Sequence, residues 1–535
     1  MPHHSKPDQH KGQKHHPNDH KDDDHDSHIP DEHEEQGDAV ASPDEEQDEQ
    51  NKPVEVISKG SSPSHTNANK EKDPKTSQLH FLVPASNTNI QLCYNLVSSA
   101  SNRYPVPLLI GWNGKGLFSA RKTHLAKLRG IEAYLDSLPK DEDKDLVLIV
   151  DGYDIIMQLP PEVIIARYFD IRAASDEAMA KRMRMSVEQA HKKGYRQTIF
   201  WGPDKICWPI DWNEPRCWAV PQSNLPKNAF GPNSGNGQMY FNDPRWLNSG
   251  TVIGPVADLR DYVHEAMAEI NATYDKDFYA SESDQYYLSN IWGRQEYYRS
   301  LVNSEDGQVP EETDKRRPPK LRADGQKTEF HIAIEYESSL FQTKAGYEPF
   351  FGYRQYDEPG YSTMMDVDMF DLGDDDFEAY DIKMPENVQH ALTRIYDSIP
   401  AEHPKKEETS EWLANAKLGT NYVTKHIYAV WHCTGPKEWI DTEYPKLWFY
   451  PYASALVKAA IAAFQRSSAL GDEEVKIDGR KWVAKTIYPE KEVLRDPLGG
   501  AWSDEDGGKW VNFEEICGVY YDALFEGDEA FKKSA

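Results

Sequence analysis

Cysteine is scarce in this chain: Cys93, Cys207, Cys217, Cys433 and Cys517 are all there are in 535 residues. Five are too few for a disulfide framework, so reduced thiols are the default expectation. Only Cys207 and Cys217 stand close enough in sequence to bridge a loop. No run of 18 apolar residues occurs, so no membrane span is expected. The opening Met1-Pro2-His3-His4-Ser5-Lys6 has no apolar h-region and does not read as a secretory signal. Positive charge is also in deficit, with 60 Lys and Arg against 90 Asp and Glu, a net charge of −30. That balance argues against a nucleic-acid backbone as partner. It suits a protein with a cationic or metal-dependent ligand.

What is present divides the chain. Residues 1–76 are rich in His, Asp, Glu, Lys, Pro and Ser and carry almost no large apolar side chains. Such a segment cannot bury enough surface to offset its ordering entropy and reads as a disordered tail. Its histidines (His15, His16, His20, His25, His28) can bind transition metals weakly, but a solvated tail is the simpler reading. Residues 77–440 read as one domain, with an acidic, proline-bearing insertion near 355–420. Residues 441–535 read as a helical and aromatic extension. No internal repeat is visible.

Within the main domain, strands and helices alternate. His80–Val83, Val106–Trp112, Leu146–Val150, Thr198–Trp201, Leu247–Gly254, Phe330–Ile334 and Tyr428–His432 read as strands. Helices are expected over Ile90–Ser99, Arg121–Leu138, Pro161–Arg184, Ala257–Tyr274, Asp284–Ile291 and Ala453–Phe464. The second of these shows Leu125, Leu128, Ile131, Leu135 and Leu138 at helical spacing. The pattern predicts an α/β fold with a mostly parallel central sheet and helices on both faces. The loop from Gly202 to Asn242 is long enough to suggest function. Trp208 within it reads first as a core residue.

The sharpest chemical signal is Leu146-Val147-Leu148-Ile149-Val150 running into Asp151-Gly152-Tyr153-Asp154. Five consecutive apolar residues read as a strand buried on both faces. In open α/β sheets, ligands bind at the carboxyl ends of the strands. Two carboxylates three residues apart can both reach one divalent cation, which keeps waters and accepts phosphate oxygens. The motif therefore reads as a metal–diphosphate site. A plain surface turn is the alternative, since Asp and Gly are common turn residues.

Four further landmarks follow in order: Trp201 through Cys207-Trp208-Pro209; Leu247-Asn248-Ser249-Gly250 through Gly254; Ser283-Asp284-Gln285; and His432-Cys433-Thr434-Gly435-Pro436-Lys437. With the Asp pair they resemble the glycosyltransferase domain of the procollagen lysyl hydroxylase and collagen glycosyltransferase family. The resemblance covers residues 79–345 and 425–440. It implies a GT-A type nucleotide-sugar-binding fold that uses a UDP-sugar and Mn²⁺. On that resemblance, Asp151, Asp154 and His432 are the expected metal ligands, a donor set of oxygen and imidazole that suits Mn²⁺. Tyr153 is expected against the base. Asn248 and Ser249 are expected to face the sugars, Asn offering both a donor and an acceptor. Gly435 would let backbone approach the ligand, and Lys437 would meet a phosphate as a point charge. Asp284 and Glu282 align with an acidic stretch that supplies the catalytic or sugar-holding carboxylate, although Ser283 stands where another carboxylate is expected. Trp112, at the end of the second strand, is the expected nucleotide neighbour, in a loop that departs from the family's.

The implied activity is metal-dependent transfer of a hexose from a UDP-sugar to a hydroxyl on a protein or glycan acceptor. The alternative is a non-catalytic nucleotide-sugar-binding protein of the same fold. A hydroxylase is not expected, because no His-x-Asp with a distant His and Arg follows. The family works in the secretory pathway; the missing h-region leaves the cytoplasm open.

Overall fold

The computed structural model describes residues 75–114, 124–302, 316–320, 322–323, 325–356, 361–363, 381–471 and 474–531. The expected tail lies outside them up to residue 74, and Lys75 and Thr76 already belong to the first strand. In chain order the strands of the amino-terminal half are β1 (Lys75–Pro84), β2 (Leu108–Ile110), β3 (Leu146–Val150), β4 (Ile155–Met157), β5 (Ile199–Asp204) and β6 (Trp246–Pro255). There follow β7 (Ile332–Ile334), β8 (Phe341–Thr343), β9 (Phe351–Gln355), β10 (Tyr361–Thr363), β11 (Asp381–Lys383), β12 (Lys417–Asn421), β13 (His426–Ile427) and β14 (Val430–His432). The last four are β15 (Val475–Ile477), β16 (Arg480–Ala484), β17 (Gly500–Ser503) and β18 (Lys509–Asn512).

A ten-stranded sheet runs β18-β17-β2-β1-β3-β6-β5-β7, with β16 also paired to β1 and β15 to β16. It is mostly parallel. Strands β17, β2, β16, β1, β3, β5 and β7 run one way, and β6 is antiparallel to both its neighbours. The reversal has a topological cause. Asp204 at the end of β5 pairs with Trp246 at the start of β6, so the intervening loop returns to the edge it left. A parallel neighbour would need a crossover to the other edge.

The helices among the described residues are α1 (Ile90–Ser101), α2 (Leu125–Ser137), α3 (Pro161–Arg182), α4 (Val187–Lys192), α5 (Pro215–Trp218), α6 (Val256–Thr273), α7 (Asp284–Leu301), α8 (Glu386–Asp397), α9 (Thr409–Asn415), α10 (Trp439–Glu443), α11 (Ala453–Arg466), α12 (Glu490–Val493), α13 (Phe513–Cys517) and α14 (Tyr521–Phe525). Several start on side-chain caps. Asn89 accepts from the Leu92 amide, Ser283 accepts from the Tyr286 amide, and Ser186 with Gln189 completes a capping box. Each satisfies an amide that the helix itself leaves orphaned.

The strand period of two sorts side chains into two cores. Leu79, Phe81 and Val83 of β1, with Leu146, Leu148 and Val150 of β3, pack with α1, α3, α8 and α11. Leu82, Val147 and Ile149 point the other way and pack with α2, α6 and α7. Helices thus cover both faces. The five residues of β3 are all buried, which is why the strand reads as continuous apolar sequence rather than as alternation.

Three expectations are corrected. The segment 441–535 is more than a helical and aromatic extension, because it supplies β15–β18 to the main sheet. Those strands are three to five residues long and mix Lys, Arg and Gly with Trp, which masks a strand pattern. The described part of the stretch near 355–420 is no peripheral insertion, since Val388, Leu392, Ile395, Tyr396 and Trp412 join the first core; residues 357–360 and 364–380 of it lie outside the described residues. Four of the five cysteines are paired rather than reduced, as Cys93–Cys517 and Cys207–Cys217, leaving Cys433 free. A pairing 424 residues apart in sequence could not be inferred from spacing. Among the described residues no single helix is long and apolar enough to cross a membrane.

The Cys93–Cys517 bond fastens α1 to the last stretch of the chain and closes nearly the whole fold. Closing so long a loop restricts the unfolded chain strongly. Replacing both cysteines by serine is expected to lower unfolding free energy by about 2–5 kcal/mol, read as a shift in the urea midpoint.

Candidate metal centre

The site lies where β1, β3 and β5 end and β6 begins. Asp151 follows β3 directly, and its amide donates to the Gly250 carbonyl at 2.8 Å. Gly152 is needed for space, since a Cβ there would stand 2.6 Å from the Pro84 carbonyl oxygen at the end of β1. The chain then turns into β4, which pairs with β14 so that Ile155 faces His432. Strand β8 lies on the other side of β14, Thr343 opposite His432. This three-stranded sheet brings Asp154 and His432, 278 residues apart, to 3.1 Å between Oδ2 and Nε2.

Asp151, Asp154 and His432 each offer a ligand atom, and these atoms lie within 4.8 Å of one another. Asp154 and His432 are buried, while the Asp151 side chain is 34% exposed and faces the open side. Among the described residues, Asp154 Oδ1 and His432 Nδ1 are buried without hydrogen-bond partners. Buried polar atoms are rarely left so, and a divalent cation with oxygen and imidazole preferences fits the donor set. Gly250 makes the room. A Cβ at this position would fall 2.2 Å from His432 Cε1.

Cations surround the carboxylates. Lys437 donates to Asp154 Oδ2 and to the Cys433 carbonyl. Burial works against the charged form of Asp154, but His432 and Lys437 outweigh it and hold the carboxyl well below its usual range. Lys127, at the start of α2, bridges Asp151 at 2.6 Å and Asp284 at 2.9 Å and also donates to the Ser249 carbonyl. Burial opposes its charge as well, and the two carboxylates overcome that and keep the ammonium above its ordinary value.

The Asn248-Ser249-Gly250 run forms one wall. Asn248 Nδ2 and Gln285 Nε2 both donate to Asp204 Oδ2 at 3.2 Å. Ser249 Oγ donates to Asp284 Oδ1 at 3.2 Å, and its amide donates to Gln285 Oε1. Burial pushes Asp204 up to about 6, the hydrogen bonds from Asn248 and Gln285 and the charges of His432 and Lys437 offsetting part of the effect.

Of the residues singled out in sequence, Asp151, Asp154, His432, Lys437, Asn248, Ser249 and Asp284 come together. Tyr153 lies at the end of β1, its hydroxyl accepting from the Ser86 and Asn87 amides. Gly435 has φ of 80°, and a Cβ there would make only ordinary contacts with Lys344 and Ala345, so it is required for backbone conformation. Trp112 is buried in the first core, and the loop that begins with it continues outside the described residues at 115. Glu282 stands apart, hydrogen-bonded to the Tyr274 hydroxyl. Trp208, expected in the core, is 47% exposed on the loop closed by Cys207–Cys217. Two central residues were missed. Lys127 precedes Leu128 but lies off the apolar stripe, one of several charged residues on the helix with Arg129 and Glu132. Asp204 ends a buried strand as Asp151 does.

No protein-family model matches the chain, and no curated protein matches it.

Two outcomes test this geometry. Gly250→Ala is expected to displace the imidazole and raise the dissociation constant for an added divalent cation by about 10–100-fold, measured by calorimetry, with the circular dichroism spectrum unchanged. Asp204 binds its proton more tightly folded than unfolded, so its ionisation costs stability as pH rises from about 4 through 6. In chelator-containing buffer, Asp204→Asn should raise the melting temperature relative to wild type at pH 7.5. The difference should vanish below pH 4.

Proposed function

We propose that this protein is a Mn²⁺-dependent glycosyltransferase of GT-A architecture. It moves a hexose from a UDP-sugar to a hydroxyl on a protein or glycan, like the collagen-modifying enzymes whose motifs its sequence resembles. The observation that carries the reading is the convergence of Asp151, Asp154 and His432 at the carboxyl ends of a mostly parallel sheet, with Asp154 Oδ1 and His432 Nδ1 buried and without hydrogen-bond partners among the described residues. A strand-end position is where α/β sheets bind phosphorylated ligands.

Asp151, Asp154 and His432 would hold the metal, which when bound supplies Lewis-acid stabilisation of the charge on a departing diphosphate. The chain's own residues do the rest. Lys127 and Lys437 offset the local excess of carboxylates, so that an anionic donor can approach. Asn248 and Asp204 present hydrogen-bonding groups to sugar hydroxyls from one wall. Asp284 has both oxygens engaged, by Ser249 and by Lys127. It serves better to fix those two groups than to remove a proton. Glu282 lies outside this arrangement. Exposed Trp208 and Trp212 on the disulfide-closed loop, a few residues beyond Asp204, offer flat faces of the kind that pack on sugars.

The engagement of Asp284 favours one second reading, a nucleotide-sugar-binding protein without turnover. The paired cysteines support an oxidising location, in keeping with the secretory pathway that the resemblance implies.

The test is UDP release from a panel of UDP-sugars, with and without Mn²⁺. One donor is expected to be hydrolysed only with Mn²⁺, and Asp154→Ala to reduce that rate by at least ~100-fold, about 2.7 kcal/mol of barrier. UDP binding with no turnover, even with hydroxylated peptides and glycans present, would favour the binding protein. Failure to bind either UDP or Mn²⁺ would remove both readings.

A further inference from the structure

A second cluster lies at the opposite end of the same strands. His80 sits in β1 and Asp145 immediately precedes β3, roughly 20 Å of strand away from Asp151 at about 3.3 Å per residue. Glu142 comes from the short turn between α2 and β3. His80 is fully buried and Asp145 nearly so. The ligand atoms of the three lie within 4.8 Å of one another, as in the first site.

The outer atoms of His80 and Glu142 are satisfied. His80 Nδ1 is hydrogen-bonded to the Tyr134 hydroxyl of α2 at 2.7 Å. Glu142 Oε1 accepts from Lys485 at 2.6 Å and from Gln78 at 3.4 Å. His80 Nε2 and Glu142 Oε2 are both buried and, among the described residues, both without hydrogen-bond partners. Nε2 stands 3.7 Å from Glu142 Oε2 and 3.8 Å from Asp145 Oδ2. Those distances are too long for hydrogen bonds. They are close to the edge of a tetrahedron, about 3.4 Å for metal–ligand bonds of about 2.1 Å. If Nδ1 donates to Tyr134, Nε2 turns a bare lone pair on two carboxylates, which is repulsive unless a cation lies between them.

We propose that His80, Glu142 and Asp145 bind a structural divalent cation of the Zn²⁺ class, with water as the fourth ligand. Two carboxylates and a neutral imidazole suit such an ion, and Lys485 offsets part of the negative charge. Tyr134 and Lys485 orient the imidazole and the carboxylate, as second-layer partners do at metal sites. The ion ties β1, the start of β3 and the turn after α2 together, and through Tyr134 and Lys485 reaches α2 and the segment after β16. It plays no part in the chemistry at Asp151.

The experiment uses the full chain, stripped with chelator, in the Asp154→Asn background so that the first site is silent. Zn²⁺ uptake is measured by equilibrium dialysis with elemental analysis, and melting temperature is followed with and without Zn²⁺. The residues before 75 are common to all variants and cancel in the comparison. Glu142→Gln is expected to lose one equivalent of tightly bound Zn²⁺ and the rise in melting temperature that Zn²⁺ produces. Tyr134→Phe, which keeps all three ligands, is expected to keep the equivalent but weaken its binding about 10–100-fold. If Glu142→Gln does not fold, Tyr134→Phe carries the test alone, and unchanged Zn²⁺ affinity in it overturns the proposal. Equal uptake and equal thermal response in Glu142→Gln and its parent would overturn it as well, and would assign the cluster to a protonated His80 between two carboxylates.

Discussion

Backbone hydrogen bonding across β4, β14 and β8 holds the two halves of the metal centre together. The Cys433 amide donates to the Asp154 carbonyl at 2.8 Å, and the Lys344 amide donates to the His432 carbonyl at 2.9 Å. Register, rather than any side-chain attraction, therefore decides where the imidazole lies. A slip of one residue along β14 would turn His432 to the opposite face and bring Trp431 or Cys433 to the carboxylates. The Gly250 position then makes sense as a consequence. Once the register is set, the imidazole presses against β6 at Gly250, and only a residue without a side chain fits there.

The charges follow from the same constraint. Asp151, Asp154, Asp204 and Asp284 are gathered at one sheet edge, three of them buried. Two unit charges 4 Å apart attract by about 4 kcal/mol at an effective dielectric of 20, while removing each from water costs several kcal/mol. The ion pairs of the largely buried Lys127 thus roughly offset their own desolvation, that of the half-exposed Lys437 is screened by solvent, and neither adds much to net stability. Their effect is on arrangement. Lys127 joins the end of β3 to the start of α7 through two carboxylates, and it fixes Ser249 by a third contact. Among the described residues, Asp204 has no cation within ion-pair distance. Two amide donors hold it instead, and the residual cost of its burial shows as a raised pKa.

Much of this was legible in the sequence, for identifiable reasons. The strand Leu146–Val150 is apolar at every position because it is buried on both faces, and helices α1, α2, α3 and α6 carry apolar residues at helical period. The three metal-ligand candidates could be named because Asp151 and Asp154 stand three residues apart in one motif, and because His432, ahead of Gly435-Pro436-Lys437, matches the metal histidine of the family that the motifs resemble. What escaped was whatever depended on distant partners. Lys127 carries no local sign that two carboxylates from other elements will surround it. The reversed direction of β6 is set by a 41-residue return loop, which no residue in β6 announces. The strands after residue 474 are too short and too polar for their period to register, and Cys93 gives no hint of Cys517.

The second cluster shows why that limit is physical. A strand buried on both faces must end in polar groups wherever the covering helices stop, and β3 is flanked by Asp145 at one end and Asp151 at the other. At either end a carboxylate near the core needs a compensating cation. At the carboxyl end the second carboxylate is three residues away, so the pair is visible in one short motif. At the amino end the partners of Asp145 are a histidine 65 positions earlier and a glutamate on a separate turn. The His80 side chain lies on the same face of β1 as Leu82, in what reads along the sequence as an ordinary core position. Only the fold shows that its free nitrogen faces two carboxylates. The demand for charge compensation is the same at both ends of the strand, and only the sequence distance over which it is met differs.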